Sequence, residues 1–545
     1  MNTTKLLKVN SVISYQRTSE KIIKYYTNMR NNQQDWKHWV HVAALVMVGG
    51  WVSLILSSFQ YKEGNDRMTV RFNPDTVTVL KNPLTGWVMY LGRGWDENFW
   101  DKYHYDEMSV YGGDSTVRVS DYAGTCYLRI NWNMLEEQED KYAWNDPDSR
   151  IYKLLASVRS RGMRLAFRIN VDSRDQGQNT PLYVKEAGAK GFQDPNNPQL
   201  WSPYPDDSIF QQKYEKFLKA FAAAFDDPDK VDFVDAYGLG KWGEAHGVKY
   251  QDYANKAAVF EWITDTYSSA FKRVPLVINY HRLVGDTISW ADPHPDSERL
   301  LKRAIEKGYI LRHDAFGMTG YYGQWERSFA ESYRYRLPIL MEGGWITGAH
   351  HRYWKDPSGN YRMDHSEDVR RGEYEESRQA HVNMMDLRTG DEVRSWFNTS
   401  FDLVRRFERE GGYRLYPSAV SFDVKSHPGS WCMVEHTWNN LGWGYCPTNI
   451  PQWRGKYKVC IALMDADGFI PIRQLVDEAD LSTWLKGEAK TYQTKIHLQG
   501  IRKGHYTWLI GLVDTTKSCR PALRMALDAD RLFNGWCVVG TLDLN

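Results

Sequence analysis

Between about residue 86 and about residue 410, short apolar runs alternate with longer stretches in which apolar residues return every third or fourth position. The runs read as strands and the stretches as amphipathic helices, because strand side chains alternate faces while helical ones return to one face about every 3.6 residues. Strands are predicted at 87–90, 126–131, 164–170, 231–237, 276–280, 310–314, 338–341 and 382–386, with helices at 151–160, 211–225, 253–271 and 297–306. Alternation of this kind implies a parallel sheet wound with helices, and eight strands are the number that closes a (β/α)8 TIM barrel. A doubly wound open sheet gives a similar pattern, but no glycine-rich phosphate loop follows the first run. From about Gly411 the pattern changes to short alternating strands, such as 418–424, 457–464, 495–498 and 506–513. Strands without intervening helices predict a C-terminal antiparallel β-sandwich. The chain therefore divides into residues 1–67, a barrel at 68–410 and a sandwich at 411–545.

The first segment adds an address. An uncharged apolar run at 42–56 follows Lys21, Lys24, Arg30 and Lys37, the arrangement of a signal peptide or a membrane anchor with its positive side inside. Its length lies at the border between the two. Either one places the rest of the chain outside the cytoplasm, as a periplasmic, cell-surface or secreted protein. Charge is balanced, 69 basic against 68 acidic residues, so the overall field selects neither nucleic acid nor an anionic membrane as partner. Six cysteines with no pair two residues apart exclude a zinc ribbon. One bridge among Cys432, Cys446, Cys460, Cys519 and Cys537 is compatible with an oxidising compartment. The 23 Trp and 34 Tyr residues exceed what core packing needs, and such rings serve as stacking surfaces for sugars.

In a TIM barrel the active site lies at the C-terminal ends of the strands, so residues that close each apolar run share one mouth. These are Arg129, Asn131 and Trp132; Arg168 and Asn170; Trp242, Glu244 and His246; Asn279, Tyr280 and His281; Tyr321 and Tyr322; and Glu342 and Trp345. Glu244 and Glu342 each end a strand in a setting of glycine and tryptophan, on the fourth and seventh strands, which face each other across an eight-strand ring. Glycoside hydrolysis requires such a pair, one carboxyl protonated and one ionised. Burial beside Trp242 is expected to raise the pKa of Glu244, and a neighbouring arginine to keep Glu342 ionised. His246, His281, His313, His350, His351 and His365 lack the i, i+4 spacing of a zinc peptidase, so they read as substrate-contacting or structural; neither a metal nor a cofactor is expected. The acidic runs at 373–376 and 391–392 read as solvated faces. Trp431, Trp438 and Trp443 read as sandwich core, with a sugar platform as the alternative.

The segment 127–144 (YLRINWNMLEEQEDKYAW) resembles the second strand and loop of clan A retaining glycosidases of the β-galactosidase type. The segments 82–87 (NPLTGW), 238–246 (GLGKWGEAH) and 412–415 (GYRL) together resemble a family of exported bacterial proteins, frequent in Bacteroidota, that carry the domain of unknown function 4832. The clan resemblance implies Glu244 as acid/base, Glu342 as nucleophile, Tyr321 or Tyr322 against the nucleophile and Arg129 beneath it. It also exposes a departure: the clan places Asn directly before the acid/base, to bond the sugar 2-hydroxyl, and this chain has Gly243. Asn279 or His246 are the candidates to replace that contact. The expected function is a retaining hydrolase of a poly- or oligosaccharide; a noncatalytic carbohydrate-binding protein on the same scaffold is the alternative.

Overall fold

Eight parallel strands close into a barrel: β1 Gly86–Leu91, β2 Ala123–Asn131, β3 Arg164–Asn170, β4 Val231–Asp235, β5 Leu276–Asn279, β6 Tyr309–Phe316, β7 Ile339–Gly343 and β8 Met384–Asp386. Each pairs with the next in sequence, and β8 pairs with β1. The computed structural model describes residues 66–91, 98–174, 177–316, 320–347, 359–362 and 365–545. The apolar run at 42–56 and the pair His350-His351 lie outside the described residues. No helix among the described residues is long and apolar enough to cross a membrane.

The strands fall where the apolar runs predict them because both faces of a barrel strand are covered, one by the interior and one by helices. The longer helices among the described residues are α1 Arg150–Ser160, α2 Ser208–Phe225, α3 Lys256–Ala270, α4 Pro295–Glu306, α5 Gln324–Ser332, α6 Ser366–Gln379, α7 Asp391–Thr399 and α8 Phe401–Glu410. In α2 the Asp207 side chain caps the first turn, accepting from the Ile209 and Phe210 amides, while Phe210, Tyr214, Phe217, Phe221 and Phe225 form one buried stripe. Phe221 and Phe225 close on Phe167 of β3, with ring centroids 5.2 and 4.8 Å away.

Inside the barrel the filling is charged. Arg168 and Arg312 are fully buried. Arg168 pairs with Asp235 and, at 2.7 Å, with Asp314; Arg312 lies 3.6 Å from Asp235, 3.1 Å from Asp314 and 3.4 Å from Asp386. The Arg312 guanidinium stacks over Tyr127, 4.3 Å from its ring centroid, and the Tyr127 hydroxyl donates to Asp235. Charges this deep persist only when each has partners of opposite sign.

Beyond α8 the chain forms two antiparallel sheets from β9 Leu415–Asp423, β10 Trp431–Asn440, β11 Tyr457–Met464, β12 Ile472–Val476, β13 Lys490–His497, β14 Gly504–Asp514 and β15 Trp536–Leu544. One sheet runs β9, β10, β13, and its outer edge beside β9 is Arg67–Arg71, a strand from before the barrel. The other sheet has β15, β14, β11 and β12 as its main strands. Phe422 of the first lies where a side chain at Gly540 of the second would stand. All six thiols are free, so no bridge forms among the five C-terminal cysteines. The three tryptophans read together separate: Trp438 is buried and stacks on Trp484, Trp443 packs against Phe407 of the barrel, and Trp431 is exposed and stacks on His497.

Two of the motifs that carry the family resemblance join the barrel to these sheets. Asn82 exchanges hydrogen bonds with the backbone of Arg524 in both directions, at 2.8 Å. Arg414 donates to the carbonyls of Asp75, Thr78 and Glu408. A side chain at Gly412 would overlap Thr85. Barrel and sheets belong to one compact unit, Asn65–Asn545.

Candidate active site

The C-terminal mouth of the barrel holds a cavity of about 660 Å³ lined by Arg129, Trp242, Glu244, His246, Asn279, His281, Tyr321, Glu342 and Trp345, all anticipated from the strand-end pattern. Asp314, Trp290, Tyr90 and Arg388 also line it. One carboxylate oxygen each from Glu244, Asp314 and Glu342 lies within 4.8 Å of the others. Three such oxygens form a possible cation cage, yet Arg129, Arg168, Arg312 and Arg388 already face them, a charge set that opposes a divalent ion.

Glu244 sits on a loop with unusual backbone. Trp242, Gly243 and Ala245 all have left-handed φ, at 59, 71 and 64°, a conformation that strains a residue with a side chain. Arg129 holds this turn from β2, donating to the Trp242 carbonyl at 2.5 Å and to Glu244 at 2.9 Å. The Asn279 side chain donates to the Glu244 carbonyl at 3.1 Å and accepts from the Asp314 amide, so its carboxamide bridges backbone. Gly243 has a steric cause: a Cβ there would stand 2.9 Å from Oδ1 of Asn170 and 3.1 Å from Cδ of Arg168. The volume that a side chain at position 243 would enter is filled from β3.

The electrostatics of Glu244 reverse one expectation. Burial acts to raise its carboxyl pKa, but Arg129, the bond from His246 and Arg168 outweigh burial and hold it below the ordinary glutamate range. Asp314 is likewise held well below the aspartate range, burial being overcome by Arg168, Arg312 and Arg129. Asp386, deeper and less well paired, is pushed up to about 7 by burial. Glu342 is buried, accepts from Arg312 at 2.7 Å, pairs with Arg388 and lies 3.7 Å from Arg129. Three guanidiniums around one carboxylate favour its ionised form, as a nucleophile requires.

Six anticipated residues, Asn131, Trp132, Arg168, Asn170, Tyr280 and Tyr322, do not line the cavity. Trp132 packs outward among Tyr183, Phe210, Tyr214 and Phe217 and donates to Glu136. Tyr280 follows the inward-facing Asn279 and so points to the helix layer, stacking on Phe329. Tyr322 packs there too, against His313 and Phe316, with its hydroxyl 3.4 Å from that of Tyr280. Arg168 lies beneath the floor, 3.7 Å from Glu244. The tyrosine at the cavity after β6 is thus Tyr321.

The acidic runs at 373–376 and 391–392 are not simply solvated. Glu373 and Glu392 are buried, share Arg370, and accept from the amides of Gly344 and of Ile346 and Thr347. They fasten the loop that carries Trp345 after Glu342. Among the other residues the strand-end pattern passed over, Arg312 and Asp314 stand in the polar triplet Arg312-His313-Asp314 that closes the sixth run, Arg388 follows β8 by two positions, and Trp290 belongs to a loop without periodicity.

No family model matches the chain, and no curated protein matches it. Among solved structures, the catalytic domain of a β-amylase from Paenibacillus polymyxa is 11% identical with a TM-score of 0.39, over 60% of this chain and 98% of the other. Xylanase B from Clostridium stercorarium F9 is 11% identical with a TM-score of 0.33, over 55% and 85%. Endo-glycoceramidase II from Rhodococcus sp. is 12% identical with a TM-score of 0.35, over 78% and 99%. Similarity this distant leaves the chemistry to be read from the cavity itself.

Proposed function

We propose that the chain is a glycoside hydrolase acting with retention on a poly- or oligosaccharide. The observation that carries this reading is the approach of Glu244 and Glu342 to within 4.8 Å across an open, aromatic-walled cavity. An oxygen-to-oxygen approach this close favours retention over inversion, whose carboxyl groups stand about 6.5–9.5 Å apart to admit a water. In this reading a Glu342 oxygen bonds to the anomeric carbon as the glycosidic C–O bond breaks, and Glu244 gives its proton to the departing oxygen. Glu244 then takes a proton from the water that displaces Glu342. Export, read from the 42–56 run, and membership of the domain 4832 family, read from the motifs at 82–87, 238–246 and 412–415, belong to the same proposal.

A second reading, a noncatalytic carbohydrate binder, is favoured by one observation: the resting Glu244 is held ionised by Arg129, His246 and Arg168. Aryl glycosides, glycosyl fluorides and oligosaccharides assayed with wild type and Glu244→Gln separate the two. The hydrolase reading expects Glu244→Gln to lose at least about 100-fold on oligosaccharides and far less on fluorides, whose leaving group needs little protonation. Binding of oligosaccharides with no turnover of any substrate establishes the binder instead.

The depressed Glu244 pKa also sets the pH dependence. A proton donor works only in its protonated form, so kcat/KM should be highest in acid and fall as pH rises through a value below the ordinary glutamate range. Arg129→Met removes the guanidinium that depresses Glu244, and its pH–rate profile should show the alkaline limb displaced upward by about one pH unit. An unmoved limb assigns the ionisation to another group.

A further inference from the structure

The two candidate catalytic carboxylates have separate aromatic neighbours. On the Glu342 side, the Arg388 guanidinium that pairs with Glu342 lies over the Trp345 ring, 4.2 Å from its centroid. On the Glu244 side, His246 places Nε2 3.3 Å from Glu244 and Nδ1 3.0 Å from the Ser289 hydroxyl. The residue after Ser289 is Trp290, a cavity-lining tryptophan that is 47% exposed.

Trp290 is held in place. Its loop is tied to the Glu244 loop by backbone bonds from Gly247 to Ile288 at 3.1 Å, Val248 to Asp286 at 2.8 Å and Gly285 to Ala245 at 2.6 Å. Tyr321 meets its ring edge-on at 4.1 Å and His281 at 5.2 Å, contacts that brace a ring while leaving much of it open to solvent. His281 has a fixed tautomer: Nδ1 accepts from the Leu283 amide at 3.0 Å, so the proton resides on Nε2, which has no hydrogen-bond partner among the described residues. A buried donor without a partner is costly.

We infer that Trp290, braced by Tyr321 and His281, is the platform on which the leaving-group sugar ring stacks, on the far side of Glu244 from Glu342. This rests on the hydrolase reading and deepens it. The substrate class is then an oligosaccharide with a ring on each side of the scissile bond, Trp345 serving one side and Trp290 the other.

The test compares Trp290→Ala, Trp290→Phe and wild type on lactose, cellobiose, mannobiose and xylobiose and on the matching glycosyl fluorides, which lack a leaving-group ring. Trp290→Ala should lose at least about tenfold more in kcat/KM on the disaccharide than on its fluoride, and Trp290→Phe should recover most of that difference. Equal losses on both substrates, or a phenylalanine variant no better than alanine, overturn the platform. If wild type hydrolyses neither class, the hydrolase reading has failed separately, and calorimetric titration of the tetrasaccharide homologues judges the platform. Binding by wild type that weakens in Trp290→Ala and returns in Trp290→Phe upholds it, and unchanged or absent binding overturns it.

Discussion

Glu342→Gln should abolish hydrolysis, with kcat falling by about four to six orders of magnitude while the variant still folds, because an amide of the same shape cannot attack the anomeric carbon. The substitution also removes the negative charge that Arg312, Arg388 and Arg129 share. Arg312 keeps Asp314 and Asp386 as partners, whereas Arg388 loses the carboxylate beside its guanidinium. The expected stability loss is about 1–3 kcal/mol, the scale of leaving a buried donor unsatisfied. Urea unfolding together with single-turnover assays checks both parts. A variant that retains more than about one hundredth of wild-type kcat removes Glu342 from the nucleophile's role.

Arg312→Met should be the most destabilising single substitution in the barrel interior, by about 3–5 kcal/mol. Arg312 is fully buried and touches Asp235, Asp314, Glu342 and Asp386 at once. Methionine fills part of its volume but leaves four carboxylates to share the remaining guanidiniums. The effect should grow with pH. Asp386 is already raised to about 7 by burial, with Arg312 among the contacts that limit the rise. A carboxyl whose folded pKa lies above its unfolded value contributes stability at low pH that is lost as pH climbs through the folded value. Without Arg312 that contribution shifts to higher pH and the ionised state costs more, so the stability gap from wild type should be wider at pH 8 than at pH 5. Denaturant unfolding at the two pH values checks this, and a gap below about 1 kcal/mol at both would show that the carboxylates repartner without Arg312.

These two residues mark the boundary between what the pattern of residues reveals and what it conceals. Glu342 was legible because it ends an apolar run and stands before glycines and a tryptophan, as Glu244 does after β4. Arg312 was concealed because it opens the polar triplet Arg312-His313-Asp314 within a strand, where local pattern does not say which of the three faces the barrel axis. Its importance arises from barrel closure, which brings it against carboxylates from β4, β6, β7 and β8. Tyr280 and Trp132 show the complementary limit. Adjacent residues on a strand face opposite sides, so a list of strand-end residues mixes the two faces until the register is known. Asn279 points inward to the Glu244 carbonyl, and Tyr280, one residue later, packs on Phe329. Gly243 read as a missing contact; only the neighbouring strand, with Asn170 and Arg168 filling the space, accounts for it.

Residue pattern alone carries the order of strands and helices, the closure number of the barrel, the change to antiparallel sheets after α8 and the pair of carboxylates that follow β4 and close β7. Those follow from local periodicity and from composition at run ends, which any stretch of chain carries within itself. The tertiary structure alone decided which polar residues face the axis, that guanidiniums depress Glu244 instead of burial raising it, and that Trp290 stands beside it. Each of those depends on side chains brought together from strands and loops distant in sequence, where small shifts in position set both electrostatic strength and access to the cavity.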